Sequence, residues 1–305
     1  MTTVTPRPPQ VIAGRHTADD GLFGPDSVTW RLHSEPSMVL VGILAATTQM
    51  LHPRVMRMID QASSFRDHPE SRGRQTGLYV MTITFGDEAT ARRAGATLRR
   101  VHQAVRAIDP ATGAEYDAEE PDLLVWVQNT LTYSSLTVFE RYVDGGVSAA
   151  DRDRYIVEQK IAGELLGIDP SVLPSTYAEL QDYLDEVLPH LAAIPESLWF
   201  RDMMTSRKGA GNGPPARFRD ELVGRLVKDE ALSMMLPVHR ELFGIDLSRG
   251  RRLSARIATP LMFKALESKL PTGATIARIR EEVDIEAFGA PRRAGKKLGT
   301  PSAGH

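Results

Sequence analysis

Three residues of this chain have types and spacing suited to chemistry: Arg72, Thr76 and His102. His102 lies in Ala91-Arg-Arg-Ala-Gly-Ala-Thr-Leu-Arg-Arg-Val-His102-Gln-Ala-Val105, a stretch patterned as a long helix. A neutral imidazole nitrogen on a helix is a ligand for a metal, a haem iron included. Arg72, Thr76 and Tyr79 follow i, i+4, i+7 spacing and share one face if their segment is helical. A guanidinium, a hydroxyl and a phenol on one face can orient a bound oxygen species or a carboxylate. They can equally tie one helix to its neighbours, and a half-exposed histidine among solvated arginines needs no ligand at all. Spacing alone leaves both readings open.

The element that must position His102 carries Ala94, Leu98, Val101, Val105 and Ile108 at steps of four, three, four and three, one apolar stripe. At about 100° per residue His102 borders that stripe, on the side of Ala91 and Gly95. These small residues would leave room for a flat macrocycle. Arg99, Arg100 and Arg106 are near enough to meet carboxylates. Around this helix the pattern is helical throughout. The run Met38–Ala46 is too short for the ~20 apolar residues of a bilayer crossing and predicts a buried helix. Leu78-Tyr-Val-Met-Thr-Ile-Thr-Phe85 has the content of a strand, but no second strand offers itself as a partner, so a buried helix is expected. Asp117-Ala-Glu-Glu120 before Pro121, and Thr176-Tyr-Ala-Glu179, read as capping-box starts. Leu124, Val127 and Leu131 mark a buried face after the first, and Leu180, Leu184, Val187 and Leu191 after the second. Gly167 and Gly244 stand where a glycine stops a helix, and His52-Pro53 ends the first apolar helix. The expected architecture is all-α: one large helical domain over residues 21–288, a loosely held Pro/Thr-rich arm at 1–20 and a disordered basic tail at 289–305. Ser206–Pro215 reads as a flexible loop.

Composition removes several function classes. The chain has no cysteine, so disulfides, thiolate nucleophiles, zinc–thiolate and iron–sulfur sites and thiolate-ligated haem are excluded. That composition suits a reducing cytoplasm, the expected location, and no secretory signal or transmembrane segment is visible. A formal net charge of −2 over 305 residues predicts no nucleic-acid footprint. His-Glu-x-x-His, Gly-x-Ser-x-Gly, Gly-x-Gly-x-x-Gly and phosphate-loop patterns are missing, as are the paired Glu-x-x-His motifs of a di-iron bundle.

The motifs also have an order. Leu22-Phe-Gly24 and Trp30-Arg-Leu-His33 precede the apolar helix ending Leu51-His52-Pro53. Asp60, Phe65, Arg72-x-x-x-Thr76, Phe85-Gly86 and Val101-His102-x-x-Val105 follow. Then come Tyr116-x-Ala-x-x-Pro121-x-Leu-Leu-x-Trp126-Val127, Leu165-Leu166-Gly167 and Leu173-Pro174-x-Thr176. This ordered set resembles the rubber oxygenase (latex clearing protein) and MpaB-like oxygenase family, from about Leu22 to Tyr183 and more weakly to Gly244.

The resemblance implies haem b held between helices, with His102 as the axial ligand and Arg72 and Thr76 matching the family's Arg-x-x-x-Thr pattern. It further implies an oxygenase acting with dioxygen or peroxide, and with an electron donor, on a small lipophilic substrate. The distal face would be an apolar pocket lined by the Met38–Leu51 and Leu78–Phe85 helices. Rubber-cleaving members carry a lysine three residues after the arginine, where this chain has Gln75. They also use a glutamate base on the preceding helix, where residues 53–64 offer only Asp60. The scaffold is thus expected without polyisoprene cleavage by the same acid–base chemistry. The rival expectation is a non-catalytic helical protein that carries or senses haem or a hydrophobic ligand.

Overall fold

Among the described residues six α-helices begin at a proline: Pro53, Pro69, Pro121, Pro195, Pro215 and Pro237. The ring fixes φ near the helical value, and its missing N–H is one the first turn leaves unbonded anyway. The computed structural model describes residues 20–62, 66, 69–206 and 215–267. Its elements run α1 Val28–His33, α2 Met38–Gln49, α3 Pro53–Ala62, α4 Pro69–Phe85, α5 Glu88–Ala104, β1 Arg106–Ile108, β2 Glu115–Asp117, α6 Pro121–Tyr142 and α7 Ala149–Leu165. After these come α8 Tyr177–Val187, α9 Pro195–Thr205, α10 Pro215–Ser233, α11 Pro237–Phe243 and α12 Arg249–Glu267. The expected arm, basic tail and most of the Ser206–Pro215 loop lie outside the described residues.

Helix α6 is the axle. It packs on α2 and α7, and Leu123, Trp126, Leu136, Val138 and Phe139 are buried on it. The sequence predicts one buried face there; the structure buries residues all around, because neighbours stand on more than one side. A buried helix rich in hydroxyls must satisfy them internally. Thr130 and Thr132 donate to the carbonyls four residues back, at 2.7 and 3.0 Å. The Trp126 indole donates to the Gln49 carbonyl at 3.2 Å, fixing α6 against the end of α2.

The apolar Met38 run is the helix α2, with Leu40, Val41 and Leu44 in the main core, and Leu78–Phe85 is the second half of α4. The stop signals hold as well. Gly167 and Gly244 adopt left-handed φ of 85° and 63°. After each, the next N–H bonds the carbonyl five residues back, Ile168 to Gly163 and Ile245 to Arg240. Thr176 caps α8 by accepting from the Glu179 N–H at 3.2 Å.

Two expectations are corrected. The helix bearing His102 does not continue through Ile108: Val105 turns extended at φ −89°, ψ 127°, and Arg106–Ile108 pairs antiparallel with Glu115–Asp117. Continued apolar spacing suggests more helix, but Val105 and Ile108 are bulky β-branched residues equally at home in a strand. The other concerns α6, whose N-cap is Glu120 without a side-chain cap bond. Asp117 instead closes a local turn, accepting from the Glu119 N–H at 2.8 Å.

Candidate functional site

Helices α4 and α5 are joined by Gly86-Asp87 alone and pack against each other as an antiparallel hairpin. Asp87 caps α5 by accepting from the Thr90 N–H at 2.6 Å. Arg72 lies 13 residues before Phe85, and His102 lies 14 after Glu88. With a rise of about 1.5 Å per residue, both sit roughly 20 Å from the corner, at the same level of the hairpin. The topology thus sets at one level two positions that are thirty residues apart in sequence.

That end of the hairpin is open. Gly73, Arg74, Gln75, Thr76 and Gly77 are all exposed, whereas Tyr79, Val80, Thr82, Ile83, Thr84 and Phe85 are buried. A Cβ built on Gly73 or Gly77 would meet nothing within 4 Å. Thr76 and Tyr79, expected on one face, therefore have different surroundings: Thr76 faces open space, while burial pushes the Tyr79 phenol well above its ordinary pKa. Arg72 is on α4 at the level described, but its side chain is outside the described set.

On α5 the buried stripe is Thr90, Ala91, Ala94 and Gly95, with Leu98 and His102 half-buried, while Val101 is 52% exposed. The stripe is turned from the expected one toward α7, which places His102 within it. Room for a macrocycle over Ala91 and Gly95 is not there. A Cβ on Gly95 would stand 2.9 Å from the Leu165 Cβ, so the small residues serve a helix crossing. His102 lies two turns farther on, in the last turn of α5, beyond that crossing.

The arginines near His102 meet carboxylates, as their spacing suggests. The Arg99 Nε donates to Glu119 Oε2 at 3.3 Å, and the Gln103 amide reaches the same oxygen at 3.4 Å. Arg106 approaches Glu115 and Asp117 at 3.9 and 4.0 Å. Arg100 instead binds Thr97 Oγ1 at 3.1 Å. The other oxygen of Glu119 is buried and has no hydrogen-bond partner. Sequence reasoning passed over Glu119, although it lies inside the Tyr116–Pro121 motif; only the return of β2 over α5 reveals it.

Asp60, the one carboxylate on α3, is paired with Arg66, whose Nη2 stands 3.0 Å from Oδ2 and whose pKa this contact raises. The apolar side chains expected to line a distal pocket are taken up in packing. Leu40, Val41 and Leu44 belong to the main core, and Tyr79, Val80 and Ile83 join Ala91, Ala94 and Ala162 in a second cluster.

Among the described residues three other histidines are buried. His33 bonds Thr84 Oγ1 at 2.8 Å and the Tyr155 hydroxyl at 2.9 Å. The Thr84 proton is donated to the Val80 carbonyl, so His33 Nδ1 donates and Nε2 accepts. Burial holds its pKa down at about 3. His52 packs beside Trp126, ring centroids 6.0 Å apart, and its pKa is lowered to about 4, burial being the first cause. His239 is lowered to about 4 by burial too.

A haem takes four iron ligands from its porphyrin and asks of the protein one axial donor and a flat opening. The described residues fit that demand. They supply an imidazole at the edge of a helix end, an open glycine-bearing helix face at the same level, and a buried carboxylate oxygen still in need of a donor. Among the described residues no three His, Asp or Glu side chains gather into a metal cage, a requirement of bare ions and not of haem. None of the described helices is long and apolar enough to cross a membrane.

A family model described as ER-bound oxygenase mpaB/B'/Rubber oxygenase, catalytic domain, matches residues 30–263. No curated protein and no solved structure matches the chain.

Proposed function

Because the chain belongs to the MpaB/rubber oxygenase catalytic-domain family, we propose that it is a haem b-dependent oxygenase acting on a small lipophilic substrate, with His102 as the residue that would hold the iron. The observation that carries the reading is the open end of the α4–α5 hairpin, where Arg72 and His102 stand level and the face from Gly73 to Gly77 is bare. Haem b, when bound, supplies the redox iron that reacts with dioxygen or peroxide, with an external electron donor where the reaction needs one.

The chain's own residues hold and orient. His102 would offer a ring nitrogen to the haem iron. Arg72 provides a permanent positive charge for a propionate or an oxygen species, and Thr76 a hydroxyl that donates or accepts. The glycines at 73 and 77 let a planar group approach the α4 backbone. Substrate would enter from this exposed side, since the apolar faces of α2 and the second half of α4 are filled with core side chains.

Proton abstraction by a carboxylate on α3 is not available to this chain as it is to rubber-cleaving relatives. Asp60 is held by Arg66, and Gln75 stands where those relatives have lysine. These departures favour a different oxidation outcome, hydroxylation included. They also favour, as a second reading, a haem carrier or sensor without turnover.

The test is the absorption spectrum of the protein as isolated and after hemin addition. A Soret band that collapses in His102→Ala is the expected result. Colourless protein that takes up no hemin defeats the reading. Hemin binding through His102 without oxidation of any lipophilic alkene or aromatic compound moves the assignment to the carrier.

A further inference from the structure

We infer that residues 274–288 fold back as a helix onto the outer face of α12 and cover its exposed apolar stripe. On its inner side α12 buries Ala255, Thr259 and Phe263, with α10 packed alongside. Half a turn round the same helix, Leu253, Ile257 and Leu261 are 60%, 57% and 63% exposed. A single exposed leucine is ordinary, but a row at i, i+4 and i+8 is a continuous apolar strip, and such strips mark contact surfaces. Arg249, Arg252 and Arg256 edge the strip on one side, and Lys264 continues its line. All four are exposed and have no ion-pair partner among the described residues, whereas Arg251 holds Asp229. The strip therefore suits a partner that is apolar along one line and acidic beside it.

The chain carries such a segment directly after α12. In Ala274-Thr-Ile-Ala-Arg-Ile-Arg-Glu-Glu-Val-Asp-Ile-Glu-Ala-Phe288, Ile276, Ile279, Val283 and Ala287 step by three, four and four, the period of one helix face. At about 100° per residue Asp284 and Glu286 border that line on opposite sides, so an acid meets the arginine edge whichever way the helix leans. The connection Ser268-Lys-Leu-Pro271-Thr-Gly273 has the length of a helix–helix link in a bundle, and Pro271 and Gly273 interrupt a helix there. With equal rise on both arms, an antiparallel return sets Ile279, Val283 and Ala287 within about one residue of the levels of Leu261, Ile257 and Leu253. The acidic run from Glu281 to Glu286 then stands beside Arg256, and both apolar lines leave water. A second copy docked on the same face would instead set arginines against arginines. The segment lies beyond the family match, which ends at residue 263, so the inference stands apart from the haem reading.

The chain has no cysteine, so a pair can be introduced into the full-length protein without background. Ile257→Cys is combined with Val283→Cys, or with Ile285→Cys as the control, whose position lies on the opposite side of the segment. A disulfide needs Cα atoms within about 7 Å, so only facing positions bridge. Oxidised with copper phenanthroline, the first pair is expected to close within one chain, read as a faster-migrating band on a non-reducing gel, while the control stays reduced. Leu261→Cys with Ile279→Cys, against Leu261→Cys with Ile285→Cys, repeats the test about one turn nearer the connection and decides alone should the first pair misfold. Facing pairs that stay reduced, or that bridge no better than their controls, overturn the inference. A bridge between two chains overturns it in favour of a second copy. Binding of the wild-type protein to phosphatidylserine vesicles that is lost in Ile257→Asp overturns it in favour of a lipid surface.

Discussion

The two ends of the α4–α5 hairpin are made from the same pair of helices and serve opposite purposes. At the corner everything is close. A Cβ on Gly21 would overlap the Gly86 carbonyl at 2.2 Å, Trp30 stacks edge-on against Phe85 at 4.9 Å, and His33 is bonded on both ring nitrogens. At the far end five consecutive residues of α4 are exposed, and two glycines look onto open space. Glycine is therefore a contact residue at one end and an opening at the other. Packing density within a single element separates its structural part from its ligand-facing part.

That contrast can be broken in order of size. The largest effect is expected from acid, because the histidines of the packed region are held neutral. In an unfolded chain they titrate near pH 6.5, and in the fold near 3 for His33 and 4 for His52 and His239. Their folded pKa values lie below the unfolded ones, so the stabilisation is complete above pH 6.5 and is lost as pH falls toward 4. For His33 the loss by pH 5 is on the order of 2 kcal/mol, with the other two adding to it. Urea midpoints measured from pH 8 to 5 should fall accordingly and flatten in His33→Gln; a midpoint level down to pH 5 refutes the account.

One substitution made on a packed face and on an open face of the hairpin comes next. Gly95→Ala sets a Cβ 2.9 Å from Leu165 and should destabilise by about 1–3 kcal/mol, despite the gain in helix propensity. Gly77→Ala meets nothing and should stabilise the haem-free protein by about 1 kcal/mol, the smallest effect and the opposite sign. Equal effects at the two sites, read from denaturant unfolding, would erase the distinction between packed and open faces.

Much of the fold is legible in the sequence because its signals are local. Proline at helix starts, Gly167 and Gly244 at helix stops, the Thr176 cap and the length of the Met38 run each act within a turn or two of chain. The helical state of Leu78–Phe85 follows from the want of a partner strand. What fails is non-local. Val105 and Ile108 continue a helical spacing, yet they leave the helix because Glu115–Asp117 returns to pair beside them, which no spacing records. Val101 fits the apolar stripe and is nonetheless exposed, since α7 packs on the neighbouring face.

The sequence by itself determined the all-helical class, the absence of thiol chemistry, the family and the candidates Arg72, Thr76 and His102. Each follows from residue type and order, and these need no fold to be read. Only the tertiary structure decided which small residues are filled and which are open, that Asp60 is bound by Arg66, and that Glu119 is held by Arg99 and Gln103. Such facts depend on which surfaces meet across long stretches of chain, and burial and hydrogen bonding are properties of that meeting rather than of any residue alone.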